Sequence, residues 1–459
     1  MNSPRRRLLI PAVLTAVTAA AVSFATPSRA VDAEPPSVPR ATCGPGSLPE
    51  TGMQGRVPPA DRASGRAAKG YRCNTTLVGH YGTGGGFKTL RYVDAAHHEC
   101  AYFDASGVQV LDMANPAKPT LVAPLTSPAM KSPHESLVLN QRRGLLVAVM
   151  GNAMAAPGVV DVYSVGKDCR HPELLSSTPV GIAGHESGFS PDGMTFFATA
   201  AITKTIVAIG LEDPRNPSLL WVGSEFTHGV SISDDGTRAY LAQFPPSVLE
   251  PRAAKGDPVS GPPGLRILDI SQIKARALAP QVPKIADLTW STVSFPQNSV
   301  PVQIKGRKYL VEFDEFSDFT DKVTGAARVI DINDERKPRV VSDLRLEVNQ
   351  SKNKAELAND PGADAVLGGY ASHYCAVPSR KDPGIVACSF ILSGLRVFDI
   401  RDPLHPREVA YDNPPQAGST ASSSVSAPAF VPERREIWYT DGVAGFRAVR
   451  LSPAAWPQQ

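Results

Sequence analysis

Four of the nine His residues occupy one position relative to a turn that recurs along the chain. They lie in Pro133-His134-Glu135-Ser136, Gly184-His185-Glu186-Ser187, Thr227-His228-Gly229-Val230 and Ser372-His373-Tyr374-Cys375. Alignment on the same turn puts Asn298 at this position in another copy. Imidazole binds zinc and other transition metals, and it also serves as a general acid or base near neutral pH.

Carboxylates accompany these His residues at the end of a second set of apolar runs. The richest segment runs from Glu312 to Asp318 and contains Asp314 and Glu315. If the two runs of a copy form an antiparallel pair, the end of one lies beside the start of the other, so these groups converge with the imidazoles. Imidazole and carboxylate together form a ligand set for a divalent metal and a set for acid/base chemistry.

We therefore interpret this set as a ligand or metal site, centred on the first three His residues. Its members are His134, His185, His228, His373, Asn298, Asp314 and Glu315. The structural alternative is that polar groups line a water-filled channel, or satisfy backbone donors, without binding anything. No residue is assigned a catalytic role.

The elements that must position these residues are copies of one pattern, clearest in the segment 394–413. Each copy reads apolar-x-apolar-apolar-Asp-apolar, followed by a link such as Asp402-Pro403-x-x-Pro406. β-branched residues bounded by turn residues predict a strand, and proline belongs in the connection. Seven copies align at Asp112, Ser164, Gly210, Asp269, Asp331, Asp399 and Arg450. The changes at this position indicate that its Asp shapes a turn.

Two further apolar runs precede each such strand, joined by turns such as Ser190-Pro-Asp-Gly193. Each copy is therefore four strands, A to D, with the repeated pattern as strand C. Seven such units predict an all-β fold, a seven-bladed β-propeller. The last copy ends after strand C at Leu451, and we expect the segment Asn74–Tyr81 to supply its missing strand D. Residues 73–459 form the propeller, with insertions near 245–263 and 349–367; 352–357 favours one or two helical turns.

The repeated strand and its Asp-Pro-x-x-Pro link resemble the LVIVD-repeat family of bacterial secreted propellers, from about Leu77 to Leu451. The resemblance implies the fold and export. It implies no reaction, because fold alone does not determine activity.

The N-terminal residues 1–30 read as a signal peptide. Arg5, Arg6 and Arg7 precede an apolar, Ala-rich stretch, and Ser28-Arg29-Ala30 ends in a small residue. The Arg run favours a twin-arginine signal slightly, and an uncleaved membrane anchor is the alternative. We expect a secreted or cell-surface protein without a transmembrane segment after cleavage. Residues 31–72 are rich in Pro, Ala, Gly and Arg, which predicts a disordered tail.

Charge argues against a nucleic-acid partner. The first 30 residues contain four Arg and no acidic residue, so the formal net charge of +3 becomes −1 once they are removed. No cluster of Lys or Arg with interleaved aromatic residues accompanies this balance. We expect a monomer whose partner is an unknown protein or small-molecule ligand.

Six Cys residues in an exported chain favour disulfides. Cys375 and Cys388 flank one predicted hairpin turn and are expected to pair. Of the three pairings open to the other four, we take Cys43–Cys73 and Cys100–Cys169. Thiolate zinc is disfavoured because no C-x-x-C spacing occurs.

Several other polar motifs are interpreted as solvated surface. His97-His98-Glu99 lies near a turn at the opposite end from the four aligned His residues, and His171 and His405 lie in the Pro-containing links. Neither G-x-S-x-G nor H-E-x-x-H is present. The sequence thus favours a non-catalytic exported propeller that binds a partner or ligand at the mouth of its channel. The alternatives are a metal-dependent enzyme (hydrolase, lactonase or oxidoreductase), for which a divalent metal is the cofactor, and a purely structural surface protein.

Overall fold

This computed structural model describes residues 34–457, except 152–157, 183, 201–202, 244–262, 318–322, 358–359, 361–367 and 417–422. The expected signal peptide, nearly all of the first insertion and much of the second lie outside the described residues.

The described chain forms seven antiparallel sheets, six with four strands and one with five. The strands of each sheet follow one another along the chain, except that the first two strands of the chain join the last two sheets. We call the sheets blades 1 to 7 and name the strands of each blade A to D. The first two strands are β1 (Tyr71–Cys73) and β2 (Thr75–Tyr81). Blades 1 and 2 contain β3 (Thr89–Val93), β4 (Glu99–Ala105), β5 (Gly107–Asp112) and β6 (Thr120–Pro124), then β7 (Val138–Asn140), β8 (Leu145–Val149), β9 (Val160–Ser164) and β10 (Glu173–Thr178). Blades 3 and 4 contain β11 (Ser187–Phe189), β12 (Thr195–Ala200), β13 (Thr205–Gly210) and β14 (Ser218–Ser224), then β15 (Thr227–Ile232), β16 (Arg238–Gln243), β17 (Gly264–Asp269) and β18 (Lys284–Leu288).

The remaining blades complete the ring. Blades 5 and 6 contain β19 (Pro296–Ile304), β20 (Arg307–Asp314), β21 (Ala327–Asp331) and β22 (Arg339–Leu344), then β23 (Ser372–Ala376), β24 (Ile385–Phe390), β25 (Gly394–Asp399) and β26 (Arg407–Asn413). Blade 7 contains β27 (Ala429–Val431), β28 (Glu436–Asp441) and β29 (Gly445–Leu451). Its fourth strand is β2, which pairs antiparallel with β29, so that Thr75 lies opposite Leu451. The predicted seven-bladed β-propeller is confirmed.

Helices in the described chain are short. They are α1 (Pro59–Ala63), α2 (Pro128–Lys131), α3 (Ser271–Lys274), α4 (Lys354–Leu357) and single 3₁₀ turns at Ala67–Lys69, Glu347–Asn349, Ser351–Asn353 and Pro432–Arg434. The helix α4 falls where helical turns were expected in the second insertion. Within the described ranges, no helix has the length and apolar character needed to cross a bilayer.

Apolar residues of neighbouring blades pack together and form the core. Between blades 2 and 3, for example, Val147 and Val162 pack in one buried cluster with Phe196 and Ile209. The junction of blades 7 and 1 has the same character, and its cluster includes the fully buried Trp438. Burial of this kind is the main favourable term in folding, and here it also holds the two ends of the ring together.

The strand C Asp residues shape turns, as the sequence indicated. A carboxylate oxygen accepts the backbone N–H two residues later in all four copies that retain the Asp, at 2.8 to 3.0 Å. These bonds start the link between strands C and D.

Residues 34–72, expected to be disordered, are instead ordered against blades 5 and 6. The strand β1 pairs with β26 as a fifth strand of blade 6. Arg56 Nε donates to Asp360 Oδ2 at 2.8 Å, and Gln54 Nε2 donates to Glu408 Oε2 at 3.0 Å. The composition of this segment predicts disorder because it reports only local preferences. The residues that hold the segment in place lie about 300 positions away in the sequence.

Three disulfides join Cys43 to Cys73, Cys100 to Cys169 and Cys375 to Cys388. All three expected pairings are confirmed. Three disulfides indicate an extracytoplasmic protein, because reducing compartments keep thiols free.

Candidate functional site at the end of the channel

The four aligned His residues lie at one end of the ring, where strands A begin and strands B finish. We call this the His end. His228 and His373 belong to strands β15 and β23, while His134 and His185 precede β7 and β11. Ring centroids are 4.4 Å apart between His134 and His185, and again between His185 and His228. The strands A of neighbouring blades contact one another, as β11 does β15 and β15 does β19, so residues at their starts meet in a small volume.

Glu135 lies at the centre of this cluster. Its side chain is fully buried. Its Oε2 is 2.8 Å from His185 Nε2 and 3.4 Å from His228 Nε2, while its Oε1 is 3.1 Å from His373 Nε2. One carboxylate thus faces the same nitrogen of three imidazoles from three blades.

Glu315 faces two of the same nitrogens from another side. Its Oε2 is 3.4 Å from His228 Nε2, and its Oε1 is 3.2 Å from His373 Nε2. The side chain is 7% exposed, so both carboxylates act in a region largely closed to water. We call His185, His228, His373, Glu135 and Glu315 the His–Glu cluster.

The other ring nitrogens of two of these His residues bond to the main chain. His228 Nδ1 donates to the carbonyl of Pro296 at 3.1 Å, and His373 Nδ1 donates to the carbonyl of Val425. These bonds fix the orientation of both rings and direct Nε2 into the cluster. Nε2 atoms of His185 and His228 are only 2.6 Å apart.

Within the cluster, burial and the attraction between opposite charges shift the pKa values in opposite directions. Burial disfavours the charged forms, but the charge of His185 and contacts with the other two imidazoles hold the pKa of Glu135 well below its ordinary value. Burial likewise lowers the pKa of His373, but the hydrogen bonds that it donates to the two carboxylates prevail and raise it to about 10. The charge of Glu135 outweighs burial at His185 too and raises its pKa. His185 and His373 therefore hold their protons tightly.

His134 is the most exposed of the four aligned His residues, followed by His185 at 30%. The side chain of His134 is 37% exposed, and its Nδ1 is 3.9 Å from Glu135 Oε2, beyond hydrogen-bonding distance. Burial lowers the pKa of His134 below its ordinary value, so the ring is neutral near pH 7. A φ of 50° at His134 breaks the alternation of an extended strand, which explains how the adjacent Glu135 projects into the same volume.

Besides His134, two further sequence-predicted residues lie outside the His–Glu cluster. Asp314 turns away from the imidazoles and pairs with the buried Arg328, whose Nη1 lies 3.1 Å from Oδ1. Successive residues at the end of a strand face opposite sides, so Glu315 contacts the cluster and Asp314 does not. Asn298 Nδ2 instead donates to Glu186 Oε1 at 2.9 Å.

Gln297 takes the place that the alignment gave to Asn298. The register of β19 against β20 shifts between Pro296 and Asn298, and this bulge moves the aligned position by one residue. Gln297 Nε2 consequently lies 3.3 Å from His373 Nε2 and 3.0 Å from the hydroxyl of Tyr374.

A second buried network, which we call the Glu186 hub, adjoins the cluster. Lys88 Nζ lies 2.7 and 2.8 Å from the two carboxylate oxygens of Glu186. Asn298 and the hydroxyl of Tyr374 also donate to this carboxylate. Burial and the neighbouring carboxylates raise the pKa of Tyr374 well above its ordinary value, so the hydroxyl keeps its proton. One carboxylate thereby joins blades 1, 3, 5 and 6.

Sequence reasoning missed Glu135, Gln297 and Glu186 as members of the site. A signal for two of them was present, because His-Glu-Ser occurs at the same position in consecutive copies, at 134–136 and 185–187. No comparable signal marks Gln297, since the bulge is not visible in the sequence.

Another group of acidic and His side chains lies near the A–B turn of blade 1. His98 Nδ1 bonds to Asp94 Oδ2 at 2.9 Å, and that oxygen also accepts the N–H of Cys169 at 2.9 Å. Asp94 Oδ1 accepts the N–H groups of Ala96 and His98. Both oxygens thus already have hydrogen-bond partners within the protein. His171 and His405, 67% and 81% exposed, pair with Asp residues on the surface.

Several solved structures share the fold. The hydrazine synthase of Kuenenia stuttgartiensis matches with a TM-score of 0.50 and 12% identity, over 82% of this chain and 97% of that one. The periplasmic gluconolactonase of Pseudomonas aeruginosa matches with a TM-score of 0.51 and 13% identity, over 83% and 93%. U3-55K matches with a TM-score of 0.50 and 8% identity, over 82% and 98%. These identities show a common fold only. No family model and no curated protein matches the chain.

Proposed function

We propose that this protein binds one divalent transition-metal ion in the His–Glu cluster and uses it to bind a small-molecule ligand at the His end. The observation that carries the proposal is the convergence of three Nε2 atoms, from His185, His228 and His373, on two buried carboxylates. The role we infer for the ion is ligand binding, because it would supply a coordination position for an oxygen donor of the ligand.

The geometry suits a metal better than a set of hydrogen bonds. Nε2 atoms 2.6 Å apart compete for one proton, whereas a metal ion can accept lone pairs from both. Glu135 Oε2 is 2.8 Å from His185 Nε2, yet the contact lacks hydrogen-bond alignment. Main-chain bonds at Nδ1 of His228 and His373 provide the orientation that metal-ligating His residues usually receive.

The donor types favour zinc or another transition metal. Calcium and magnesium prefer oxygen ligands, while three imidazole nitrogens with carboxylates suit zinc, copper, iron or nickel. Three neutral imidazoles and two carboxylates would neutralise the charge of a dication, which removes much of the cost of burying these groups.

Metal analysis of the mature protein, expressed without a polyhistidine tag, tests this proposal. After dialysis against zinc, mass spectrometry of the metal content should give one ion per chain. Glu135→Gln and His228→Ala should each lose most of it, while the controls His171→Ala and His405→Ala should retain it. Protons compete for the imidazoles, so affinity should fall as pH drops. The fall should begin well above the ordinary His pKa of about 6.5, because the two carboxylates raise the pKa of His373 to about 10. A wild-type protein that binds no tested transition metal would refute the metal centre.

Metal-dependent hydrolysis is a second candidate function, and the residue that favours it is His134. His134 is neutral near pH 7, partly exposed and adjacent to the cluster, which suits a general base. The gluconolactonase likeness is one of fold and transfers no residue to this chain. His134→Ala should abolish turnover of lactone or ester substrates while retaining the ion. Absence of metal-dependent turnover across a panel of such substrates would leave ligand binding alone.

Export and family membership are further proposals. The three disulfides support export directed by residues 1–30, and the seven repeated strands support kinship with LVIVD-repeat propellers. The N-terminal sequence of the protein recovered outside the cytoplasm would identify the cleavage site, and an N-terminus still at Met1 would exclude signal cleavage.

A further inference from the structure

Two partly exposed Phe rings flank the His–Glu cluster. The ring of Phe87 is 5.4 Å from that of His373 in an edge contact and 4.9 Å from that of His134. The ring of Phe316 is stacked on that of His373, with ring centroids 6.3 Å apart and an angle of 17° between the ring planes. Both side chains remain intermediate in burial, although Phe is among the residues most often fully buried.

A dedicated backbone arrangement places Phe87. Asp104 accepts the N–H of Phe87 at 3.0 Å and that of Lys88 at 2.8 Å. This approach requires Gly86, where a Cβ atom would lie 1.9 Å from Asp104 Oδ2. The backbone that carries the Phe87 ring is therefore held in place by Asp104 of blade 1.

Phe316 is held in an unfavourable conformation. Its φ is 40°, a region that bulky residues rarely adopt. Its carbonyl accepts the N–H of Gly325 at 3.0 Å, and a Cβ at Gly325 would lie 2.2 Å from that oxygen. Strain of this kind persists where the surrounding structure enforces it, often at ligand clamps.

We propose that Phe87 and Phe316 select ligands that carry a flat apolar ring beside the oxygen donor that binds the metal. This inference rests on the proposed metal centre. With a dication, three neutral imidazoles and two carboxylates the cluster has no net charge, so long-range charge gives little selection among ligands. The two Phe rings, whose centroids lie 5.4 and 6.3 Å from that of the ligating His373, are the groups left to discriminate between ligands.

A matched pair of chelators tests this on the zinc-loaded mature protein. Benzohydroxamate and acetohydroxamate carry the same metal-binding group and differ in a phenyl against a methyl. Titration calorimetry should show benzohydroxamate binding about tenfold more tightly, the size expected from ring contacts. The variant Phe87→Ala/Phe316→Ala should lower this ratio to near one with zinc content unchanged. Phe430→Ala, in blade 7 near the opposite end, should keep the wild-type ratio.

The outcomes separate the two proposals. Loss of zinc from the wild type would overturn the metal centre and this inference together. Bound zinc with a ratio near one in the wild type, or a tenfold ratio that survives the double variant, would overturn the selection by these rings and leave the metal centre standing. If the Ala variant fails to fold, Phe87→Leu/Phe316→Leu keeps the apolar volume and removes the flat faces, and it should show the same loss of ratio.

Discussion

Asp104 provides a sharp test of the electrostatics at the His end. The residue lies in β4 and is buried with its carboxylate against the backbone of Phe87 and Lys88. Burial favours its neutral form, while these two N–H donors favour the charged form. Burial prevails and raises the pKa of Asp104 from 3.8 to about 6.

The magnitude follows from this shift. A folded-state pKa above the unfolded value means that the folded protein holds the proton more tightly, so stability falls as pH rises from about 4 to about 6. About 2.2 units at 1.36 kcal/mol each give a loss of about 3 kcal/mol from this residue alone. Asp104→Asn removes the titration. The free energy of unfolding of the wild type, relative to this variant, should therefore decrease by up to about 3 kcal/mol over this range.

Urea unfolding at intervals between pH 4 and pH 7.5 measures the difference directly. A constant offset is expected as well, because the Asn amide cannot accept both N–H bonds. Asp213→Asn, at an exposed carboxyl of a C–D link, serves as control and should not reproduce the fall with pH. A wild-type advantage that instead grows with pH would show that the two N–H donors outweigh burial, and it would refute the reasoning.

Three further outcomes are expected. Glu186→Gln should destabilise the protein by about 3 to 5 kcal/mol in urea unfolding, because Lys88 is left buried without its charge partner; a loss under 1 kcal/mol would contradict a buried hub. Replacing Cys375 and Cys388 by Ala should cost roughly 3 kcal/mol, since their 13-residue separation closes a short loop; an unchanged melting temperature would argue against the bond. Deleting the chain through residue 81 should expose the edge of blade 7 and cause aggregation, visible by light scattering; a monomeric, cooperatively melting product would show that β2 is dispensable.

The fold could be predicted from the sequence because its signals are local and repeated. Seven copies of one strand, each ending in a turn, gave the blade number, and the missing fourth strand of the last copy pointed to the segment 74–81. Cys375 and Cys388 could be paired because they flank a single hairpin. The N-terminal segment had no such signal, since the partners of Arg56 and Gln54 lie more than 300 residues away in the sequence.

The site was predictable in position but not in composition. Register alone brings His134, His185, His228 and His373 to one end of the ring. Which neighbours join them depends on details of the backbone that a sequence pattern does not specify. The φ of His134 admits Glu135, and the bulge after Pro296 exchanges Asn298 for Gln297.

The Glu186 hub and the exposure of the four aligned His residues bear on how a ligand can reach the proposed metal centre. Lys88, Asn298 and Tyr374 come from three other blades, so their meeting on one carboxylate places a buried charged network across the middle of the ring. Groups from these blades can meet there because their innermost strands contact one another in turn, as the strands A of blades 3, 4, 5 and 6 do. Among the four aligned His residues, His134 and His185 are the most exposed, at 37% and 30%, so we expect a ligand to approach the proposed metal centre past these two side chains.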